Sequence, residues 1–468
     1  METVGAIRFA LLGALALALW TVPAHAATFA PTRFDDPTPN GCKPANCSLR
    51  EAIIASNKHD GRDAIPLARG RYELEIPPTT DDTGSLDVRD GVDLFGAGPK
   101  RTKIDGNAID GAMVVGADNE LNDRFVIRDL GVTGGDASQF GGGIDAVSFE
   151  GDRLELSHVA IKHNAAAHGG GIHADISKLT IRDSTIADNE ASSFGGGMRA
   201  GSSSTPASSK VKIFNSTIRG NEAPFGGGIY AFFPRMVVKN TTIDNNAANE
   251  GGGMDIVGQI ATPHTTVRSS TISRNSATKG AGILADGDQP GASFAEPVVL
   301  LVNSTVALNL ASAEGGGVLA DNAATVTLDN ATIAHNTADV DNTGGGTGGG
   351  VNQHSGAVFG LGDSIVGANT VGTSGTGPQC QGAFSTDADG FVIQSQSSGT
   401  CSYGGIYTIA ADPLIGSLAP NGGPTETVEL LTGSPALGFA GSCPAVDQRG
   451  VRRPAEDCDS GAYERKGP

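Results

Sequence analysis

Aromatic side chains are scarce in this chain: Phe, Tyr and Trp make up 5% of 468 residues, and Trp occurs once. A conventional core built around large rings is therefore not expected. Cations are outnumbered as well, with Lys plus Arg 32 against Asp plus Glu 51 and a net charge of −19. Such a surface repels phosphate backbones, and no basic cluster overrides it, so no nucleic-acid partner is expected. No C-x-x-C pair and no histidine pair with ligand spacing occurs, which argues against cysteine-bound zinc. Beyond residue 26, no run is apolar enough to span a bilayer.

What is abundant is glycine, 68 residues, beside 38% hydrophobic residues. That mix suits tightly stacked backbone with small interior side chains. Residues 1–26 read as a signal peptide: Arg8, an apolar run from Phe9 to Trp20, and Ala24-His25-Ala26 as the small-x-small cleavage pattern. The expected location is secreted or extracellular, including the outer surface of a bacterial cell, with no transmembrane segment left after cleavage. All six cysteines lie beyond that point, in an oxidising compartment, and fall in close pairs: Cys42 with Cys47, Cys380 with Cys401, Cys443 with Cys458. Proximity favours those disulfides, although six cysteines allow other connectivities. No cofactor is required by any motif. The acidity is compatible with calcium at paired carboxylates, and a solvated acidic face is the commoner explanation.

Between residues 159 and 369 one phrase recurs, reading S-T-I-x-x-N, a variable stretch, then G-G-G-I. The closing asparagines are Asn164, Asn189, Asn221, Asn246, Asn275, Asn309, Asn336 and Asn369. Helical repeats are disfavoured by Thr, Ile, Val, Asn and a Gly triplet in each unit. Propeller blades need longer units with aromatic signatures. A β-solenoid remains, with two or three short strands per coil and insertions such as Gly201 to Ser209 and Gly287 to Glu296 leaving as loops. In parallel register each repeat position becomes a ladder. Ile161, Ile186, Ile218, Ile243, Ile272, Val306, Ile333 and Val366 form one inward column. Ile144, Ile172, Met198, Ile229, Met254, Ile283, Val318 and Val351 form another. Two residues after the second lie Ala146, Ala174, Ala200, Ala231, Ile256, Ala285 and Ala320, inward again by strand alternation. The asparagines are read as a structural turn ladder whose amides bond along the stack.

Residues 27–64 do not follow the repeat. Cys47-Ser48-Leu49-Arg50-Glu51-Ala52-Ile53 predicts a short helix with Ser48 as N-cap and Glu51 completing a capping box, covering the open end of the solenoid. The expected fold is all-β: a right-handed single-stranded parallel β-helix with a short N-terminal helical cap and an irregular, disulfide-containing C-terminal region. The expected units are 1–26 signal peptide, 27–64 cap, 65–375 β-helix and 376–468 C-terminal region.

Cys47 to Ala52 spell the motif of the CSLREA-domain secreted proteins, which this chain resembles. Asp412-Pro413, Asn421-Gly422-Gly423-Pro424-Thr425, Gly433-Ser434-Pro435-Ala436, Asp447-Gln448-Arg449-Gly450, Arg453-Pro454 and Cys458 to Glu464 are similar to the choice-of-anchor Q domain. The repeats are more weakly similar to those of polymorphic outer membrane proteins. These resemblances imply cell-envelope or extracellular biology and bring no catalytic residue set. The chain stops at Arg465-Lys466-Gly467-Pro468 with no apolar tail or sortase-like motif, so the anchoring that often accompanies the second family is not expected.

One column follows the second inward ladder and, by alternation, should face out: Asp145, His173, Arg199, Tyr230 and Asp255, then Leu284, Leu319 and Asn352, with Asp175 beside His173. A β-eliminating lyase needs a base, a positive group for the enolate and an acid, roles that Tyr230, His173 and Arg199 could fill. Asp145, Asp175, Phe232 and Asp255 are the candidate ligand contacts, since an exposed aromatic beside polar groups suits a sugar ring. His163 and His168 are read as turn residues. The expected function is a monomeric, non-catalytic surface or secreted protein that contacts extracellular or envelope polysaccharide along its flank. The alternative is a polysaccharide lyase or related carbohydrate-active enzyme acting on uronate-containing polymers.

Overall fold

The computed structural model describes residues 27–80, 82–116, 122–147, 151–201, 209–232, 234–258, 264–287, 296–354, 356–386, 392–394, 401–403 and 408–466. The signal-peptide stretch and most of both inserted loops, 202–208 and 288–295, lie outside the described residues.

Three short strands per turn wind into a parallel β-helix. The first face is built from five-residue strands such as Arg153–Ser157, Lys178–Arg182 and Lys210–Phe214, paired rung on rung in parallel. The second face is a single 13-stranded sheet of shorter strands, among them Ala160–Lys162, Thr185–Ala187 and Thr217–Arg219. The third follows the Gly triplets, with strands such as Ile172–Asp175, Met198–Ala200 and Ile229–Phe232. The parallel stack opens at Asp63–Pro66 and runs to Thr408–Ala410. β-branched residues fit this pleat because each stacks on its own kind in the next rung.

The expected inward columns are all inside. Ile161 through Val366 pair in unbroken register on the second face, and Ile144 through Val351 do so on the third. Together with the alanine column they are buried in one continuous core. Each buried aliphatic side chain contributes about 1.5–3 kcal/mol of transfer free energy, which substitutes for the missing aromatic core.

Corners require backbone that ordinary residues resist. Between the first and second faces the chain passes through positive φ at Asp129, His158, Asp183, Asn215, Asn240, Ser269, Asn303, Asn330 and Asp363. Short polar side chains suit this left-handed region. A second corner has positive φ just before each buried asparagine, and there even Arg274 and Leu308 adopt it. At the third corner glycine opens and closes the triplet, and one coil admits alanine in the middle, at Ala281. In the triplet Gly195-Gly196-Gly197, φ at the first is +70°, and a Cβ at the third would lie 2.5 Å from the Gly228 carbonyl oxygen on the next rung.

The asparagine ladder runs inside the second corner. Asn246 Nδ2 donates to Asn275 Oδ1 at 2.9 Å, Asn275 to Asn309 at 2.9 Å, Asn309 to Asn336 at 2.9 Å and Asn336 to Asn369 at 3.0 Å. Gln379 continues the row beyond Asn369 at 3.0 Å.

The N-terminal end is closed. The cap helix Leu49–Ser56 carries the expected capping box, with Ser48 and Glu51 each bonded to the other's backbone N–H. Arg50 is buried in a two-pronged pair with Asp36, both contacts 2.8 Å, and donates to the carbonyls of Asp82, Gly84 and Ser85. Cys47 is bonded to Cys42, so each of these motif residues has a structural task. The other two bridges are Cys380–Cys401 and Cys443–Cys458, as sequence proximity suggested. No helix among the described residues is long and apolar enough to cross a membrane.

Residues 412–466 fold back on the outside of the second face. An antiparallel hairpin, Ile415–Ala419 with Thr427–Leu430, sets Leu418 and Val428 on Ala307 and Ala334. Gln448 bonds Thr271 and Thr305, and Thr332 accepts from the Ala462 N–H. Arg453, fully buried, pairs with Glu464 at 2.8 Å and reaches Asn303.

Candidate functional site

The column from Asp145 to Asn352 is one ladder, since Asp145, His173, Arg199, Tyr230 and Asp255 are successive register partners. It is mostly covered, with Asp145 and Arg199 partly exposed. His173 is 4% exposed, Tyr230 5% and Asp255 2%, and Leu284, Leu319 and Asn352 are buried too. Alternation pointed these side chains away from the core, but the chain bends at the Gly corner. Rings that precede a triplet then lean over the column residue of the next rung, Phe140 over His173 and Phe194 over Tyr230.

Those covering residues form a second ladder: Phe140, His168, Phe194, Phe225, Glu250, Lys279, Glu314 and Thr347 are bridged rung to rung. Its first four members stack, with ring centroids 5.2 Å apart for Phe140 and His168, 5.3 Å for His168 and Phe194, and 5.2 Å for Phe194 and Phe225. Phe140 also lies 4.6 Å from His173, and Phe194 lies 4.7 Å from Tyr230. His168 is therefore part of an aromatic ledge rather than an unremarkable turn residue. Phe140 is 39% exposed and the other three are half-buried. Sequence reasoning passed over this ledge, although a signal existed: the residue preceding G-G-G is aromatic in four successive repeats.

Beneath the ledge, Arg199 Nη1 donates to His173 Nε2 at 2.8 Å, which leaves the ring proton on Nδ1, 2.7 Å from Asp145 Oδ1. Both nitrogens of His173 are thus engaged. Burial works against the Arg199 charge, and Tyr230, Asp175 and Asp145 support it. The guanidinium lies 5.7 Å from the Phe232 ring centroid. Burial and the nearby Asp255 carboxyl push the Tyr230 phenol well up, so it holds its proton. The expected lyase trio is brought together, but none of its members is presented as a free base.

Toward the C-terminal end the flank turns ionic. Among the described residues Asp255 Oδ1 has no hydrogen-bond partner, and burial, with Asp286 and Glu250 nearby, raises its pKa well above the ordinary carboxyl range. Burial raises Glu250 as well, against the pull of Lys279. Further on, Lys279 meets Glu314 at 3.1 Å, and His354 spans Glu314 and Asp321 at 3.0 Å each. These partners push His354 up to about 9 and Glu314 down to about 2. Among the described residues no three His, Cys, Asp or Glu side chains are arranged to hold a metal ion.

Residues 143–299 match a family model described as a right handed beta helix region, which gives the repeats their hand. No curated protein matches. Among solved structures, the chain is similar to pectate lyase Pel9A, with 14% identity over 95% of this chain and 98% of that one, at a TM-score of 0.45. It is also similar to the catalytic domain of a GH87 alpha-1,3-glucanase, with 12% identity over 80% of this chain and 70% of that one, at a TM-score of 0.36. Similarity at this level assigns no activity to this chain.

Proposed function

We propose that this is a secreted glycan-contacting protein whose aromatic ledge stacks on the sugar rings of a polysaccharide lying along the flank. The stacked row of Phe140, His168, Phe194 and Phe225 carries this reading. A contiguous row of partly exposed rings on a rigid scaffold suits an apolar sugar face, and exposed patches of this kind serve as binding surfaces. Charge selects among glycans. Glu190 and Glu222 flank the rings, and Glu250 continues the row, so a uronate polymer is repelled and a neutral one is favoured. Three disulfides and the leader-like N-terminus support an extracellular setting.

Lyase chemistry is less well supported, because β-elimination needs a free base, whereas both nitrogens of His173 are engaged and Tyr230 holds its proton. Asp255 favours a second reading instead, glycosidic hydrolysis, in which a protonated carboxyl serves as general acid. Asp286 lies one rung and two residues on, and its carboxyl acts on that of Asp255, which makes it the candidate second member of such a pair.

One experiment separates these. Titrate neutral β-glucan, xylan and mannan oligosaccharides calorimetrically into wild type, Phe194→Ala and Phe225→Ala, and assay the same mixtures for reducing ends and for unsaturated products. Binding without products, weakened roughly tenfold in each variant, is the expected result. Reducing ends lost in Asp255→Asn would favour hydrolysis, unsaturated products would favour the lyase, and equal affinity in all three proteins would remove the ledge from the account.

A further inference from the structure

We infer that the second face carries a separate cleft that binds an acidic sugar. Along that face the outward column reads Lys103, Gly131, Ala160, Thr185, each the register partner of the next. Two small residues in succession leave a depression of about 440 Å³ between the longer side chains, a size at which small-molecule sites occur.

Its chemistry is opposite to that of the protein around it. Lys100, Lys103 and Lys162 line it, with His158 and His163 at the two corners that bound the face, against one lining carboxylate, Asp183, which accepts from Asn215 Nδ2 at 3.2 Å. On a chain of net charge −19 the arginines nearby are paired, Arg71 with Asp105 and Glu73 and Arg128 with Asp93 and Asp129, and the His158 ring is bonded to Asp129. Among the described residues no carboxylate pairs with any of the three lysines. Lys103 and Lys162 stand two rungs apart, about 10 Å, on adjacent outward columns, so they bracket the depression diagonally.

Between them the wall is amphipathic. Pro99 and Ala160 offer apolar contact, while the Thr133 and Thr185 hydroxyls offer hydrogen bonds. A carboxylate on a hydroxyl-rich ring matches that combination better than a bare inorganic anion, which would use the lysines alone. A long polyanion is disfavoured by the acidic surface beyond the cleft, so the fitting ligand is one or two uronate residues. The same face farther along is occupied by residues 412–466, which seat on Thr271, Thr305 and Thr332, so the open part is confined to the N-terminal coils. This cleft lies on a different face from the ledge, and its test needs nothing to bind there.

The test is calorimetric titration of the full protein with digalacturonate, with cellobiose and with inorganic phosphate as comparators, at low and high salt. Digalacturonate should bind saturably and more weakly as salt rises. Lys103→Gln with Lys162→Gln should weaken it roughly tenfold, and Ala160→Leu, which fills the depression without changing charge, should block it while leaving the circular dichroism spectrum intact. Equal binding of cellobiose, phosphate binding as tight as digalacturonate, or affinity untouched by these substitutions would overturn the assignment.

Discussion

A primary amide has two donors and two acceptor positions, and Asn275 uses all four. Its Nδ2 donates to the Ile243 carbonyl and to Asn309, while its Oδ1 accepts from the Asn246 backbone N–H and side chain. Asn275→Ala strands those partners in a dry core and should cost roughly 3 kcal/mol or more, read as a fall in the urea midpoint. Asn275→Asp removes both donors and buries a charge, so it should be worse. Titration at the residue scale has a defined window. His354, ordinarily 6.5 and about 9 in the fold, stabilises fully below about 6.5 and loses that contribution as pH rises through 9. Glu314, ordinarily 4.5 and about 2 in the fold, contributes above about 4.5 and loses it as pH falls through 2. The network is therefore complete between roughly pH 4.5 and 6.5, and thermal midpoints should decline above it in wild type but not in His354→Ala. An unchanged decline in the variant would remove His354 as its source.

At the scale of the element, the Gly triplet is the part of the repeat with least freedom. Gly197→Ala would push a Cβ to 2.5 Å from the Gly228 carbonyl oxygen and 3.0 Å from Asn221 Nδ2, so two stacked rungs must separate. We expect lower thermal stability and a poorer soluble yield, measured against Ala191→Gly, which removes a methyl from a buried site without a clash. The ladders were legible because a position that stacks on itself repeats its residue type: Ile on Ile, Asn on Asn, Gly on Gly. The ledge was harder to see, because its position holds a ring in four coils and then changes to Glu250 and Lys279, and the count from Asn to Gly varies through an irregular strand. Alternation gave the right direction for His173 and Tyr230 and the wrong exposure, since it describes one strand and says nothing of the neighbour folded across it.

Across the whole molecule the helical stack divides its surfaces by face. Residues 412–466 cover part of the second face where the rungs carry Thr271, Ala307 and Ala334, and leave uncovered those that carry Lys103, Lys162 and Arg219. The motif residues of both ends are spent on architecture: Arg50 on the cap, Gln448 and Arg453 on docking the tail. Besides the open cleft on the second face, the third corner remains for recognition, where a rigid scaffold holds rings in a row without a further ordering cost. Hydrogen–deuterium exchange with and without the tightest neutral oligosaccharide tests that claim most directly. Slowed exchange confined to residues 165–168, 190–194 and 222–226 is the predicted result, and protection that maps to another face, or is absent there under saturating ligand, would contradict it.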